Sequence, residues 1–207
     1  MAYETTDSRE NIRIMLDSAD KSDQALRDIY AWPDTQTFRL NLLATPDGIV
    51  GPDGTSHSLT NPEDRRILRA IRAEADVVIV GAESVRTEGW FLPPHGRLMV
   101  LSSTGFLPWD TCPDSTRVFV APSASAIVHN LAKTETRVLC EGGLETAKLI
   151  AERIGFDEIA LSTTGDDIPP MLSFLHIQDD FALASQLINS LHQMTFRYWR
   201  RAVEGRS

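Results

Sequence analysis

The chain has 207 residues, 42% of them hydrophobic and 24% charged, the make-up of one folded domain with a real core rather than of a disordered tail. Asp and Glu outnumber Lys and Arg 29 to 20, a formal charge of −9, so a phosphate backbone would repel the chain and nucleic acid is not an expected partner. No apolar run reaches membrane-spanning length, and Met1–Glu10 lacks the basic and apolar regions of a signal peptide; a cytoplasmic protein with no membrane association is expected.

Residues 1–36 are a polar, charge-mixed lead, expected as an N-terminal extension to a domain spanning 37–207. Within the lead, Ile12, Met15, Leu16, Ala19, Ala25, Leu26 and Ile29 recur at helical spacing. They predict a surface helix over Ile12–Ile29, and Trp32-Pro33-Asp34 then turns the chain. Phe38–Ala44 reads as a first strand, Pro46-Asp47-Gly48 as a turn and Ile49-Val50 as a short resumed strand. Thr60-Asn61-Pro62-Glu63-Asp64 has the signature of a helix start: a capping residue, Pro near the first helical position and two acids over the positive end of the dipole. That helix runs to about Ala75, with Ile67, Leu68 and Ile71 on one face. Arg65, Arg66, Arg69 and Arg72 make it locally basic in an acidic chain.

Val77–Val80 is a continuous β-branched run, the pattern of a strand covered on both faces. Gly81 follows it, and Ala82–Val85 opens a short helix. Leu98–Leu101, Val118–Val120, Arg137–Cys140 and Glu158–Ser162 read as further strands, Ser125–Leu131 and Leu144–Arg153 as helices. This alternation predicts an α/β domain with a largely parallel sheet. Phe181–Ile188 and Gln193–Arg200 predict an antiparallel hairpin at its C-terminal edge.

Two strand-to-glycine junctions are the places where chemistry is expected. Gly81-Ala82-Glu83-Ser84 and Glu141-Gly142-Gly143-Leu144-Glu145 each end an apolar strand and begin a helix, so backbone N–H groups and the Ser84 hydroxyl can approach a phosphate-bearing ligand closely. Either junction could equally be a plain turn. Glu141 lies at the carboxyl edge of the sheet and reads as a ligand contact or as a cap for the following helix; Arg72 reads as a ligand contact or as a solvated helix residue. Cys112 and Cys140 have no second Cys or His at ligand spacing, so no metal is expected. Nucleophile-elbow and zinc-deaminase motifs are absent, which favours chemistry carried by a cofactor that the protein positions.

Several segments in order carry a resemblance: Asn41–Gly48, Gly54-Thr55-Ser56, Thr60–Arg66, Leu68–Asp76, Val80–Glu88, Cys140–Gly143 and Gly155–Ile159. Together they resemble the reductase domain of bacterial riboflavin biosynthesis over about residues 37 to 200. The resemblance implies a dihydrofolate-reductase-like three-layer α/β fold, a homodimer, NADPH as hydride donor and a ribosylaminopyrimidine phosphate as substrate. It implies that Thr45, Asp47 and Gly48 lie near the nicotinamide and that Ser58, Ser84 and Glu88 touch cofactor. Gly81 and Ala82, with Gly142, Gly143, Leu144 and Glu145, would hold the pyrophosphate. Ser56, Arg72 and Glu141 would meet substrate, Arg72 at its phosphate, and Asp47 and Glu141 are the catalytic candidates, with Asp47 or water as proton source. Where the family carries an arginine for the substrate phosphate, this chain reads Glu88-Gly89-Trp90-Phe91-Leu92-Pro93-Pro94-His95, and Arg97 falls two residues late; Asn41 replaces a common lysine. A stand-alone reductase of a related pterin or dihydrofolate, or a nucleotide-binding protein without catalysis, are the alternatives.

Overall fold

A computed structural model of the chain describes residues 15–46, 48, 59–164 and 167–202. Among the described residues nine strands form one sheet: β1 (Met15–Asp17), β2 (Thr37–Ala44), β3 (Val77–Gly81), β4 (Arg97–Leu101), β5 (Val118–Ala121), β6 (Arg137–Cys140), β7 (Glu158–Thr164), β8 (Phe181–Asn189) and β9 (Met194–Arg201). Their spatial order is β1-β8-β9-β7-β2-β6-β3-β4-β5, parallel throughout except where β9 runs against β7 and β8. Six helices of the described residues cover the two faces: α1 (Asp23–Ile29), α2 (Pro62–Arg72), α3 (Ala82–Glu88), α4 (Ala124–Asn130), α5 (Leu144–Arg153) and α6 (Ile177–Asp180). The result is the expected three-layer, dihydrofolate-reductase-like architecture.

The strands are apolar on both sides because both sides are covered. In β3, Val77 and Ile79 join the core under α4 and α5, while Val78 and Val80 join the core under α1, α2 and α3. β2 and β6 alternate in the same way, with Leu40, Leu42, Val138 and Cys140 on the first side and Leu139 on the second. α2 starts as its sequence predicts. The Asn61 side chain accepts from the N–H groups of Glu63 and Asp64, both at 2.9 Å, and Pro62 occupies the first turn.

The lead differs from its prediction. In place of one helix over Ile12–Ile29, its described part is a strand, a 3-10 turn at Ser18–Asp20 and the short helix α1. Local side-chain bonds break the helical pattern: Asp17 accepts from Ala19 N–H and Ser22 from Ala25 N–H, each capping a new start. β1 pairs in parallel with β8, so the C-terminal hairpin has one more strand outside it. Leu26 and Tyr30 are buried in the α2-side core. The fully buried Arg39 of β2 locks this region down. Its Nε donates to Glu158 at 2.7 Å, its Nη1 to the Tyr30 carbonyl at 2.8 Å, and its guanidinium lies 3.8 Å over the Trp32 ring. A buried charge so fully bonded specifies position more than it adds stability.

Candidate active site

Topology creates the site. β3 and β6 are neighbours, with Ile79 opposite Cys140, but their outgoing connections part: β3 leads to α3 on one face of the sheet and β6 to α5 on the other. Parallel sheets open a crevice at such a switch point, outside the carboxyl ends of the strands. The two glycine junctions singled out from the sequence therefore lie side by side. The Glu141 N–H extends the ladder by donating to the Ile79 carbonyl at 2.8 Å, which puts the Glu141 side chain at the crevice.

A cleft of ≈ 340 Å³ lies there, between the sheet and helices α2 and α3, within the 300–1,000 Å³ common for small-molecule sites. Its floor includes Asn41 and Leu43 of β2, Val80 of β3 and Ser162 of β7; α2 contributes Asp64, Arg65, Leu68 and Arg72; α3 contributes Ser84, Val85 and Glu88. Glu141, Gly142 and Gly143 close the end.

At that end Arg72 and Glu141 form a forked ion pair. Arg72 Nε donates to both carboxylate oxygens at 2.8 and 2.9 Å and Nη2 donates to Oε2 at 2.6 Å. The Glu141 side chain is only 7% exposed, and Arg72 stacks its guanidinium 3.8 Å from the Phe91 ring centre. Glu141 therefore does not cap the next helix. The N-cap of α5 is Gly143, which has no side chain with which to bond the first turn. At the other end of the cleft, Asp64 is 7% exposed and its Oδ2 accepts the Thr60 hydroxyl at 2.6 Å.

Gly81 and Gly142 have a packing reason as well. A Cβ on Gly81 would meet Thr146 Oγ1 at 2.6 Å; one on Gly142 would meet Thr146 Cγ2 at 2.3 Å and Cβ at 2.4 Å. The first turn of α5 thus rests directly on both strand ends. Cys140, beside them, is chemically quiet: burial, only partly offset by the Gly142 N–H, pushes its thiol up to about 12.

Of the residues expected from the sequence, Arg72, Ser84, Glu88, Glu141, Gly142 and Gly143 line this one cleft. Gly81, Ala82, Leu144 and Glu145 sit at the two junctions beside it without lining it. Thr45 and Gly48 close a tight turn after β2, with Thr45 N–H to the Gly48 carbonyl at 2.7 Å. Asp47, Ser56 and Ser58 lie outside the described residues, as does the Ile49-Val50 strand. Asp64, Thr60, Ser162 and Phe91 were not singled out by the sequence. Asp64 was legible only as a helix-start acid; nothing local says that it faces a cleft. Arg97, the late arginine, begins β4 at the opposite end of the sheet, where its Nε and Nη2 bond Glu135 at 2.6 and 2.7 Å.

No family model matches the chain, and no curated protein matches it. Solved structures do resemble it. A pyrimidine reductase-like protein from Corynebacterium diphtheriae is 20% identical with a TM-score of 0.63, the match covering 86% of this chain and 99% of that one. A diaminohydroxyphosphoribosylaminopyrimidine deaminase/5-amino-6-(5-phosphoribosylamino)uracil reductase from Thermotoga maritima is 16% identical with a TM-score of 0.58, covering 81% of this chain and 57% of that one. At these identities the likeness is one of fold, and it is the same dihydrofolate-reductase-like fold that the sheet order and the two helix layers describe.

Proposed function

We propose that the protein is an NADPH-dependent reductase that delivers hydride to a ribosylaminopyrimidine phosphate or a related heterocycle. We further infer that it works as a cytoplasmic homodimer. One observation carries the reading: a heterocycle-sized cleft opens at the switch point between β3 and β6, flanked by two glycine-started helices whose first turns have no side-chain cap. The names of the structures that share the fold, a pyrimidine reductase-like protein and a phosphoribosylaminouracil reductase among them, support the same choice.

The residues present suit a dinucleotide. Gly142 and Gly143 border the cleft with bare backbone, and the uncapped N–H groups of the α5 first turn favour an anion such as a pyrophosphate. Gly81, Ala82 and Ser84 offer a second backbone edge and a hydroxyl on the neighbouring strand end. Thr45, Gly48, Ser58, Glu88, Leu144 and Glu145 complete the proposed cofactor contacts. When bound, the reduced nicotinamide supplies the hydride.

The chain supplies position and charge. Asp64, a buried carboxylate whose Oδ2 is held by Thr60, can accept N–H donors from a ring, with Asn41 and Ser162 lining the same region. Arg72 and Phe91 fix the Glu141 carboxylate at the sheet edge, where it meets the substrate; Ser56 is proposed as a further substrate contact. A carbonyl turning into an alkoxide needs a proton, assigned to Asp47 or to water delivered near it. Pre-set geometry of this kind accounts for much of an enzyme's rate.

A second reading has a specific observation behind it. Arg72 spends two of its three nitrogens on Glu141, which leaves an expected substrate phosphate without a dedicated arginine there and favours an unphosphorylated pterin or dihydrofolate. The test is a titration with NADPH and NADH, followed by oxidation of the bound cofactor with the ribosylaminopyrimidine phosphate and with dihydrofolate in separate assays. Turnover of the phosphate compound supports the first reading and turnover of dihydrofolate alone the second. Binding without turnover of either points to a non-catalytic nucleotide binder, and no cofactor binding ends the reductase reading.

A further inference from the structure

We propose that Arg65 is the anion-binding residue of the cleft and receives a phosphate or carboxylate group carried by the substrate. This role belongs to the same cleft as the proposed reduction and rests on it for the identity of that substrate.

The four arginines of α2 meet different fates. Arg66 bonds Asp23 and Glu63, and Arg72 is forked onto Glu141. Arg69 is exposed, lies off the cleft and contributes its charge to Asp23. Arg65 lines the cleft, is exposed, and its guanidinium has no hydrogen bond or ion pair among the described residues. Arg65, Leu68 and Arg72 follow one another at helical spacing, so one face of α2 presents a free cation, an apolar contact and a neutralised ion pair in that order.

Among the described residues, the other charged side chains lining the cleft leave no substitute. Asp64, Glu88 and Glu141 would repel an anion, and Arg72 already answers Glu141. Arg97 is bound to Glu135 at the far end of the sheet. The planar guanidinium fork of Arg65 fits both a phosphate and a carboxylate. In a chain of formal charge −9, a guanidinium that lines the cleft and has no partner among the described residues also draws anionic ligands toward it.

The experiment is calorimetric binding of three fragments, ribose 5-phosphate, p-aminobenzoylglutamate and uncharged ribose, to the full chain and to its Arg65→Ala and Arg65→Lys variants. An exposed residue can be truncated without unfolding the protein, and circular dichroism checks this. The wild type binds at least one of the two anions; Arg65→Ala weakens that binding about tenfold, and Arg65→Lys restores part of it, as expected for a charge-assisted bond at a partly screened site. A response confined to the sugar phosphate identifies phosphate as the group recognised; one confined to the dicarboxylate identifies carboxylate. Equal affinity of wild type and Arg65→Ala for both anions, or no anion binding by the wild type, overturns the proposal. Cofactor oxidation is scored separately: Arg65-dependent fragment binding by a protein that oxidises no NADPH would refute the reductase reading while leaving the anion site standing.

Discussion

Gly81→Ala and Gly142→Ala look equivalent in sequence, each adding a methyl group at a strand-to-helix junction, yet the structure separates them. At Gly81 the new Cβ meets only the Thr146 hydroxyl oxygen, at 2.6 Å; the Thr146 Cβ is 3.8 Å away, an ordinary contact. At Gly142 the new Cβ lies 2.3 Å from Thr146 Cγ2 and 2.4 Å from Thr146 Cβ, an atom that every residue except glycine keeps. Forcing an extra methyl group into a packed site costs about 1–3 kcal/mol, so Gly81→Ala is expected near the low end and Gly142→Ala near about 3 kcal/mol. Thr146→Ala by itself removes about one buried methyl equivalent, about 1 kcal/mol. In the Thr146→Ala background the Gly81→Ala penalty falls to nearly nothing, a coupling of about 1 kcal/mol, whereas most of the Gly142→Ala penalty persists. Urea unfolding with a constant slope measures all six proteins. Equal rescue of both glycines by Thr146→Ala, or no rescue of Gly81→Ala, would refute the close-packing account. The rescued double variant also isolates ligand binding. If the wild type binds NADPH and this folded double variant does not, the proposed contact of Gly81 with the cofactor is supported.

Other outcomes follow from the same geometry. Arg72→Met strands the 7% exposed Glu141 carboxylate; after allowing for the 23% exposure of Arg72 the loss is about 1–3 kcal/mol by urea unfolding, with the proposed reductase turnover lost alongside. Arg39→Met leaves Glu158 buried without its main partner and costs about 3–5 kcal/mol, and replacing Glu158 by Leu as well recovers much of that by the same assay. Cys140, held near 12 by burial, stays protonated and sealed, so a thiol reagent at mild alkaline pH modifies only Cys112 in the native protein and both cysteines in denaturant. Asp76 sits below its ordinary 3.8: burial pushes it up, but bonds from the Arg137 guanidinium and the Arg137 and Thr136 N–H groups outweigh that. A depressed carboxyl contributes fully above its unfolded value and loses that contribution as pH falls through its native one. The stability gap between wild type and Asp76→Asn is therefore flat near neutrality and closes below about pH 4 in urea titrations across pH.

The legible and illegible parts of this protein divide along the range of the forces involved. Strands such as Val77–Val80 and Arg137–Cys140, and the Leu144–Arg153 helix, are written in periodicity and composition, which act between near neighbours. The start of α2 was legible for the same reason, since the Asn61 cap, Pro62 and two acids act within one turn. The apolar spacing of the lead, taken alone, fits a helix. The side-chain caps at Asp17 and Ser22, and a place beside β8 more than 160 residues away, decide otherwise.

For the site, the chain order alone marked the two glycine junctions, the basic character of α2 and the acid after β6. It could not say that Glu141 and Arg72, 69 residues apart, neutralise each other, nor that Arg65 is left free while Arg66 and Arg72 are taken. It could not say that Thr146 is the reason two separate glycines admit no side chain. Those are facts of which strand lies next to which. Putting β6 between β2 and β3 brings distant residues within bonding distance, and a charge's partner, unlike a residue's helical or strand preference, exists only once the sheet is assembled.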